Sequence, residues 1–178
     1  LVAGAGFRGA GGEGAGDSLQ PVWAPDGNSL ASGSSGPNNL KVWQVSNGSS
    51  RNFGTGTNPV SSVAFSPDGL TLASGGAERL VRMWDIETGR LLRSLRGHTA
   101  GVTKVAMSPD GKHLASASGD MTVKIWELTS GRELGEGTCP ARSRNAGFIP
   151  QELTQAWGGG TFLIRLGQPT LLRTEVRA

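Results

Sequence analysis

The stretch that decides the fold runs Ser108-Pro109-Asp110-Gly111-Lys112-His113-Leu114-Ala115-Ser116-Ala117-Ser118-Gly119-Asp120-Met121-Thr122-Val123-Lys124-Ile125-Trp126. It contains a turn, two short strands and the loop that joins them. Proline fixes φ, aspartate bonds its own backbone, and glycine takes the left-handed position, so Ser-Pro-Asp-Gly suits a hairpin. Working upstream, the same four-residue turn returns as Ser66-Pro67-Asp68-Gly69, and once more as Ala24-Pro25-Asp26-Gly27. Successive prolines are 42 residues apart. Behind each turn comes Leu-Ala-Ser (30–32, 72–74 and 114–116). Each unit then closes an alternating strand on tryptophan: Trp43, Trp84 and Trp126.

Repetition at such a period announces a repeat architecture. Each unit reads as four short strands, at about 102–107, 113–118, 122–127 and 132–136 in the third. Asn47-Gly48, Thr88-Gly89 and Ser130-Gly131 supply the turn before the last strand. Segments such as Val63-Ala64-Phe65 and Val105-Ala106-Met107 are apolar on both faces, as stacked inner sheets require. A fourth, worn copy spans 138–178. Phe148-Ile149-Pro150 stands where the turn should be, a strand runs over Thr161–Leu166, and Leu166 replaces the closing tryptophan. The units are therefore 17–54, 55–96, 97–137 and 138–178. Residues 1–16 are a Gly-rich linker or the eroded outer strand of an upstream unit.

Composition agrees with an all-β chain rich in turns. The 178 residues include 29 glycines, with 36% hydrophobic and 17% charged residues. No apolar run approaches the roughly 18–20 residues that span a bilayer. A secretory leader pattern is not evident. The single cysteine, Cys139, allows no internal disulfide and argues against a cysteine-rich metal site. An intracellular, cytoplasmic setting is the expectation. The net charge of +3 sits in residues 139–178, where five arginines face two glutamates.

These residues resemble the WD-repeat family, which includes the G-protein β subunit. Gly97-His98, Ser108-Pro109-Asp110-Gly111, Leu114-Ala115-Ser116, Asp120 and Trp126 carry the likeness in the third unit. Trp84-Asp85 carries it in the second. The resemblance implies all-β WD-type β-propeller blades of four antiparallel strands, about four in number and amounting to an incomplete propeller. It also implies a structural tetrad of His98, Ser116, Asp120 and Trp126 that ties the strands of one blade together. The second unit retains Ser74 and Trp84, but Glu78 and Gly56 stand at the Asp and His positions.

Function follows from the resemblance and from what the chain lacks. A non-catalytic scaffold that holds other proteins is expected, with no cofactor and no metal. The alternative is a regulatory or sensor propeller module of a larger enzyme such as a kinase or ATPase. Related propellers bind partners on the face carrying the loop before each first strand and the loop between the second and third. Here that face would present Ser61, Thr103, Arg142 and Arg144, the two arginines suiting an acidic segment of a partner. An open arc would also expose two blade edges and invite self-association. Other motifs read as structure. Ser116, His98 and Asp120 are accounted for by the tetrad, and no Gly-x-Ser-x-Gly elbow exists to make them hydrolytic. Gly4-Ala5-Gly6-Phe7-Arg8-Gly9 is followed by more glycine, not by the helix a dinucleotide site needs. The basic quarter has few aromatics, all at core positions, so nucleic acid is not an expected partner. His113 should lie exposed at the start of its strand.

Overall fold

The computed structural model describes residues 21–36, 39–54 and 57–138, and two short strands beyond them. Three four-stranded antiparallel sheets follow one another along the chain. The first holds β1 (Val22–Trp23), β2 (Ser29–Gly33), β3 (Leu40–Gln44) and β4 (Ser50–Asn52). The second holds β5 (Val60–Phe65), β6 (Thr71–Gly76), β7 (Leu80–Asp85) and β8 (Leu91–Arg96). The third holds β9 (Val102–Met107), β10 (His113–Ser118), β11 (Thr122–Glu127) and β12 (Glu133–Thr138). Strands pair in sequence order within each sheet.

Local chemistry sets these hairpins. Gly27, Gly69 and Gly111 adopt φ of +69°, +73° and +68° at the end of their turns. Asp26, Asp68 and Asp110 each accept from the N–H two residues on, at 2.9–3.0 Å. Ser66 and Ser108 lock the first and last strand of the hairpin further, because each hydroxyl accepts the N–H five residues on at 2.9 Å. The serine hydroxyls draw the Asp68 and Asp110 carboxyls below their ordinary range. Two non-glycine residues, Arg79 and Met121, also sit at φ +64°, in the loops between the second and third strands.

The sheets stack, and the core lies between them. Ala31, Leu40, Val42 and Phe53 of the first sheet pack on Val60, Val63, Phe65, Leu72 and Trp84 of the second. Ala73, Val81, Met83 and Leu95 of the second pack on Val102, Val105, Leu114 and Trp126 of the third. Phe53 meets Trp84 edge to face, with ring centroids 5.9 Å apart. Polar bonds cross the same boundaries. Asn39 Nδ2 donates to the Asn58 carbonyl, and the Val105 N–H donates to Ser62 Oγ at 3.1 Å.

An arginine on each outer strand clamps the next sheet. Arg51 donates to the carbonyls of Ile86 and Glu87, and Arg93 to those of Thr129 and Ser130. Both reach the turn just before the next outer strand. The two residues lie opposite Val42 and Met83 in their own sheets, so the positions are equivalent.

One sequence expectation needs correction, and another falls mostly outside the described residues. A fourth antiparallel blade was expected over 138–178. The described strands there, β13 (Ala146–Phe148) and β14 (Phe162–Ile164), pair in parallel. Parallel neighbours need a crossover, so these two cannot be joined as a hairpin. β13 lies beside β9 and β10. Much of the expected Thr161–Leu166 strand, with the Leu166 position, falls outside the described residues. His113, expected exposed, is half-buried at the start of β10, its side chain 26% exposed and its Nδ1 3.8 Å from Asp110 Oδ1. The tight turn folds Asp110 back over the strand it leads into, and that covers the ring.

Gly131 and Gly48 give a paired test of the clamp. Both have left-handed φ (+74° and +68°), so alanine strains either by about 1 kcal/mol. Only at Gly131 would the added Cβ also meet Arg93, at 2.6 Å, whereas Gly48 has open space. Gly131→Ala should therefore lower the melting midpoint more than Gly48→Ala. Adding Arg93→Ala to Gly131→Ala should cost less than Arg93→Ala alone. Thermal unfolding followed by circular dichroism decides both comparisons.

Candidate functional site

The densest polar cluster is in the third sheet, on the side facing the second. β10 supplies Ser116, β11 supplies Trp126, the β8–β9 loop supplies His98, and the β10–β11 loop supplies Asp120. Trp126 Nε1 donates to Ser116 Oγ at 2.8 Å. His98 Nε2 is 2.8 Å from the same oxygen. Its Nδ1 is 2.9 Å from Asp120 Oδ2. With Nδ1–H donating to the carboxylate, Nε2 accepts from the serine hydroxyl, and every group has its partner. Asp120 also takes the Thr99 N–H at 2.8 Å and the Thr122 hydroxyl at 2.7 Å. Burial pushes its carboxyl up. The bonds from Thr122, Thr99 and His98 outweigh that and hold it well below the ordinary carboxylate range.

Burial decides what this cluster can do. Ser116 and Trp126 are 0% and 1% exposed, and the indole occupies the serine oxygen. A serine, a histidine and an aspartate are in line, yet no substrate carbonyl can reach Oγ. The arrangement joins two strands and two loops of one sheet, and its side chains are buried.

The other sheets keep half of it. Trp84 Nε1 donates to Ser74 Oγ at 2.8 Å, and Trp43 Nε1 to Ser32 Oγ at 3.3 Å. Glu78, at the position matching Asp120, instead accepts from Asn58 Nδ2 at 2.9 Å and pairs with Arg82. Sequence reading missed that use. Gly56 falls outside the described residues.

The expected partner face is only partly described. Ser61 and Thr103 are both half-buried. Thr103 Oγ1 donates to the Ala117 carbonyl at 3.3 Å, so its hydroxyl already serves the sheet. Arg142 and Arg144 fall outside the described residues. Nearby, Met121 is 54% exposed on the β10–β11 loop. A polar groove of about 600 Å³ lies elsewhere, between the first two sheets, lined by Asp26, Gln44, Arg51, Asp85 and Glu87 among others. Among the described residues no three His, Cys, Asp or Glu side chains are grouped to hold a metal ion. No helix among them is long and apolar enough to cross a membrane.

Stacked four-stranded sheets, tied by indole–serine bonds and repeated at a fixed period, define an arc of β-propeller blades. Comparison with known proteins gives the particular family. Residues 48–85 and 89–127 match the family described as WD domain, G-beta repeat. Over these two stretches the chain carries WD-type repeats. Each matched repeat straddles two sheets: the first takes in β4 to β7, the second β8 to β11. The chain is 46% identical to the general transcriptional corepressor TUP1 of Saccharomyces cerevisiae, over 26% of its length and 7% of that protein. It is 36% identical to autophagy-related protein 16 of Arabidopsis thaliana, over 34% of its length and 12% of that protein. It is 49% identical to the probable serine/threonine-protein kinase PkwA of Thermomonospora curvata, over 21% of its length and 5% of that protein. It thus spans a small part of each relative's length. Among solved structures, U3-55K overlays 66% of this chain and 38% of its own, with TM-score 0.61 and 25% identity. The RRP9 WD40 repeats overlay 65% of this chain and 37% of their own, with TM-score 0.59 and 24% identity.

Removing Ser116 should test the cluster as a brace. Ser116→Ala leaves the Trp126 N–H and His98 Nε2 buried without their partner, at about 1–3 kcal/mol each. Asp120→Asn adds a pH signature. The folded carboxyl titrates below its unfolded value, so its stabilisation is present above about pH 4 and is lost as pH falls further. The wild type should melt several degrees above Asp120→Asn at pH 7, and the gap should shrink below pH 4. A gap independent of pH would remove the ionised carboxylate from the account.

Proposed function

We propose that the chain is a non-catalytic scaffold that holds other proteins. One observation carries this reading. The histidine, serine and aspartate that could have been reactive are buried and bonded to one another. What the arc offers a partner is therefore surface. Relatives named as a corepressor and as an autophagy-related protein support the same reading. The finer proposal is that Arg142 and Arg144, in the basic C-terminal quarter, contact an acidic segment of the partner, flanked by Ser61 and Thr103 on the same face. Association of the chain with itself through an open blade edge is a second interaction of the same kind.

A regulatory module of a larger enzyme is the other reading, favoured by the likeness to a protein named as a probable kinase. The two differ in what flanks residues 1 and 178 in the gene. A catalytic domain there supports the second.

Capture tests the finer proposal. The immobilised chain should retain a partner from lysate, identified by mass spectrometry, more weakly as salt rises. Arg142→Glu with Arg144→Glu should weaken that capture about tenfold and flatten its salt dependence. Capture that is equally strong and equally salt-dependent with both charges reversed removes the two arginines from the interface.

A further inference from the structure

The groove between the first two sheets has a cause that the strand registers expose. Ser50 stands opposite Trp43 as Leu91 stands opposite Trp84, and Val42 matches Met83. The Ser49 carbonyl accepts the Gln44 N–H as the Arg90 carbonyl accepts that of Asp85. The Ser29 carbonyl accepts the Ala24 N–H as the Thr71 carbonyl accepts that of Ser66. Ser29, Val42, Ser49 and Ser50 line the groove, and each is smaller than its counterpart in the second sheet. The space they leave is about 600 Å³, in the range of a ligand pocket.

Its chemistry is mixed and its charge is unbalanced. Asp26, Asp85 and Glu87 line it against one guanidinium, that of Arg51. None of the three carboxylates is in an ion pair among the described residues. The hydroxyl and N–H of Thr88 hold the Asp85 carboxyl below its ordinary range, so it is ionised at neutral pH. Arg51 itself donates to the carbonyls of Ile86 and Glu87, so this wall already accepts a guanidinium. At the rim Leu70 is 65% exposed, and half-buried Ile86 lies beside it in the lining. Between the second and third sheets the chain meets the same place with side chains of its own. Arg90 matches Ser49 there, Leu91 matches Ser50, and Lys112 matches Leu70. That gap is thus given two cations and a leucine that the first gap lacks.

We propose that the groove takes an extended segment of another protein that presents a lysine or arginine next to a leucine-sized aliphatic residue. The cation meets Asp26, Asp85 and Glu87, and the aliphatic residue packs on Leu70 and Ile86. The partner supplies from outside what Arg90, Leu91 and Lys112 supply from within the chain at the next gap. The groove opens where the β1–β2, β3–β4, β5–β6 and β7–β8 turns lie, at the opposite ends of the strands from Ser61 and Thr103. It also selects the opposite charge from Arg142 and Arg144. The inference extends the scaffold reading to a second surface, and purified components make its failure distinct from a failure of capture from lysate.

Fluorescence anisotropy of short peptides carrying a neutral dye tests it on the 178-residue chain. The peptide Gly-Lys-Leu-Arg-Gly should bind saturably, and more weakly as salt rises. Replacing its leucine by serine, or both its cations by glutamate, should each weaken binding about tenfold. Asp26→Asn with Glu87→Gln should weaken the leucine peptide about tenfold while leaving the turn acceptor at residue 26 in place. Leu70→Ser should weaken the leucine peptide and leave the serine peptide unchanged. Ser49→Arg with Ser50→Leu, the residues of the second sheet, should abolish binding with strand content retained by circular dichroism. Should that chain fail to fold, the carboxylate variant alone decides. Absence of saturable binding, equal binding of the glutamate peptide, or binding indifferent to Asp26→Asn with Glu87→Gln would each overturn the proposal.

Discussion

Burial on two faces at once is the constraint behind this chain. β6 and β10 are buried at five of six positions each, so their sheets have no face to give to water. A sheet of this kind has no stable existence alone. It also limits what the residues between sheets can be. Ala31 and Ala73 keep the second strand thin, so that Leu72 with Trp84, and Leu114 with Trp126, can fill the gap from the facing sheet. The outer strands are largely released from the constraint: β4 is exposed throughout, and β8 and β12 at four of six positions each. That is where charge and glycine accumulate.

Polar groups inside such a stack must be settled internally, and the chain does this unevenly. The third sheet has the whole line from Trp126 to Asp120. The second keeps the indole–serine bond and moves its acidic residue, Glu78, to Asn58 and Arg82. The first keeps only a longer indole–serine bond, on the face with the least cover. A cluster that looks catalytic by residue type is thereby spent on holding strands together, and the surface is left as the working part.

What the sequence disclosed and what it hid divide by range. Turns were legible because Pro-Asp-Gly and Asn-Gly act within a few residues, and the strands of the third unit fell within a residue or two of their expected ends. The tetrad residues were nameable from the resemblance, although only coordinates give their distances and burial. The arginine clamps were not legible. Their acceptors are main-chain carbonyls in the next sheet, some 35 residues on, and any residue could have supplied those. A signal existed in the recurrence of Arg51 and Arg93 at the repeat period. His113 misled because exposure at a strand start depends on how its turn folds back. The parallel pairing of β13 with β14 has no counterpart in the earlier units from which it could have been foreseen.

The offset between repeat and sheet has a consequence for how such a chain can grow. The family-matched repeat runs from an outer strand through the next three, while the unit of folding runs from β5 to β8. Copying or deleting one matched repeat therefore joins strands from two neighbouring sheets. An array lengthened or shortened by whole repeats keeps every internal sheet complete. Only at its ends is it left with a strand that has no sheet or a sheet short of a strand. Gain and loss of repeats is thus nearly harmless within the array, and the ends bear the whole cost.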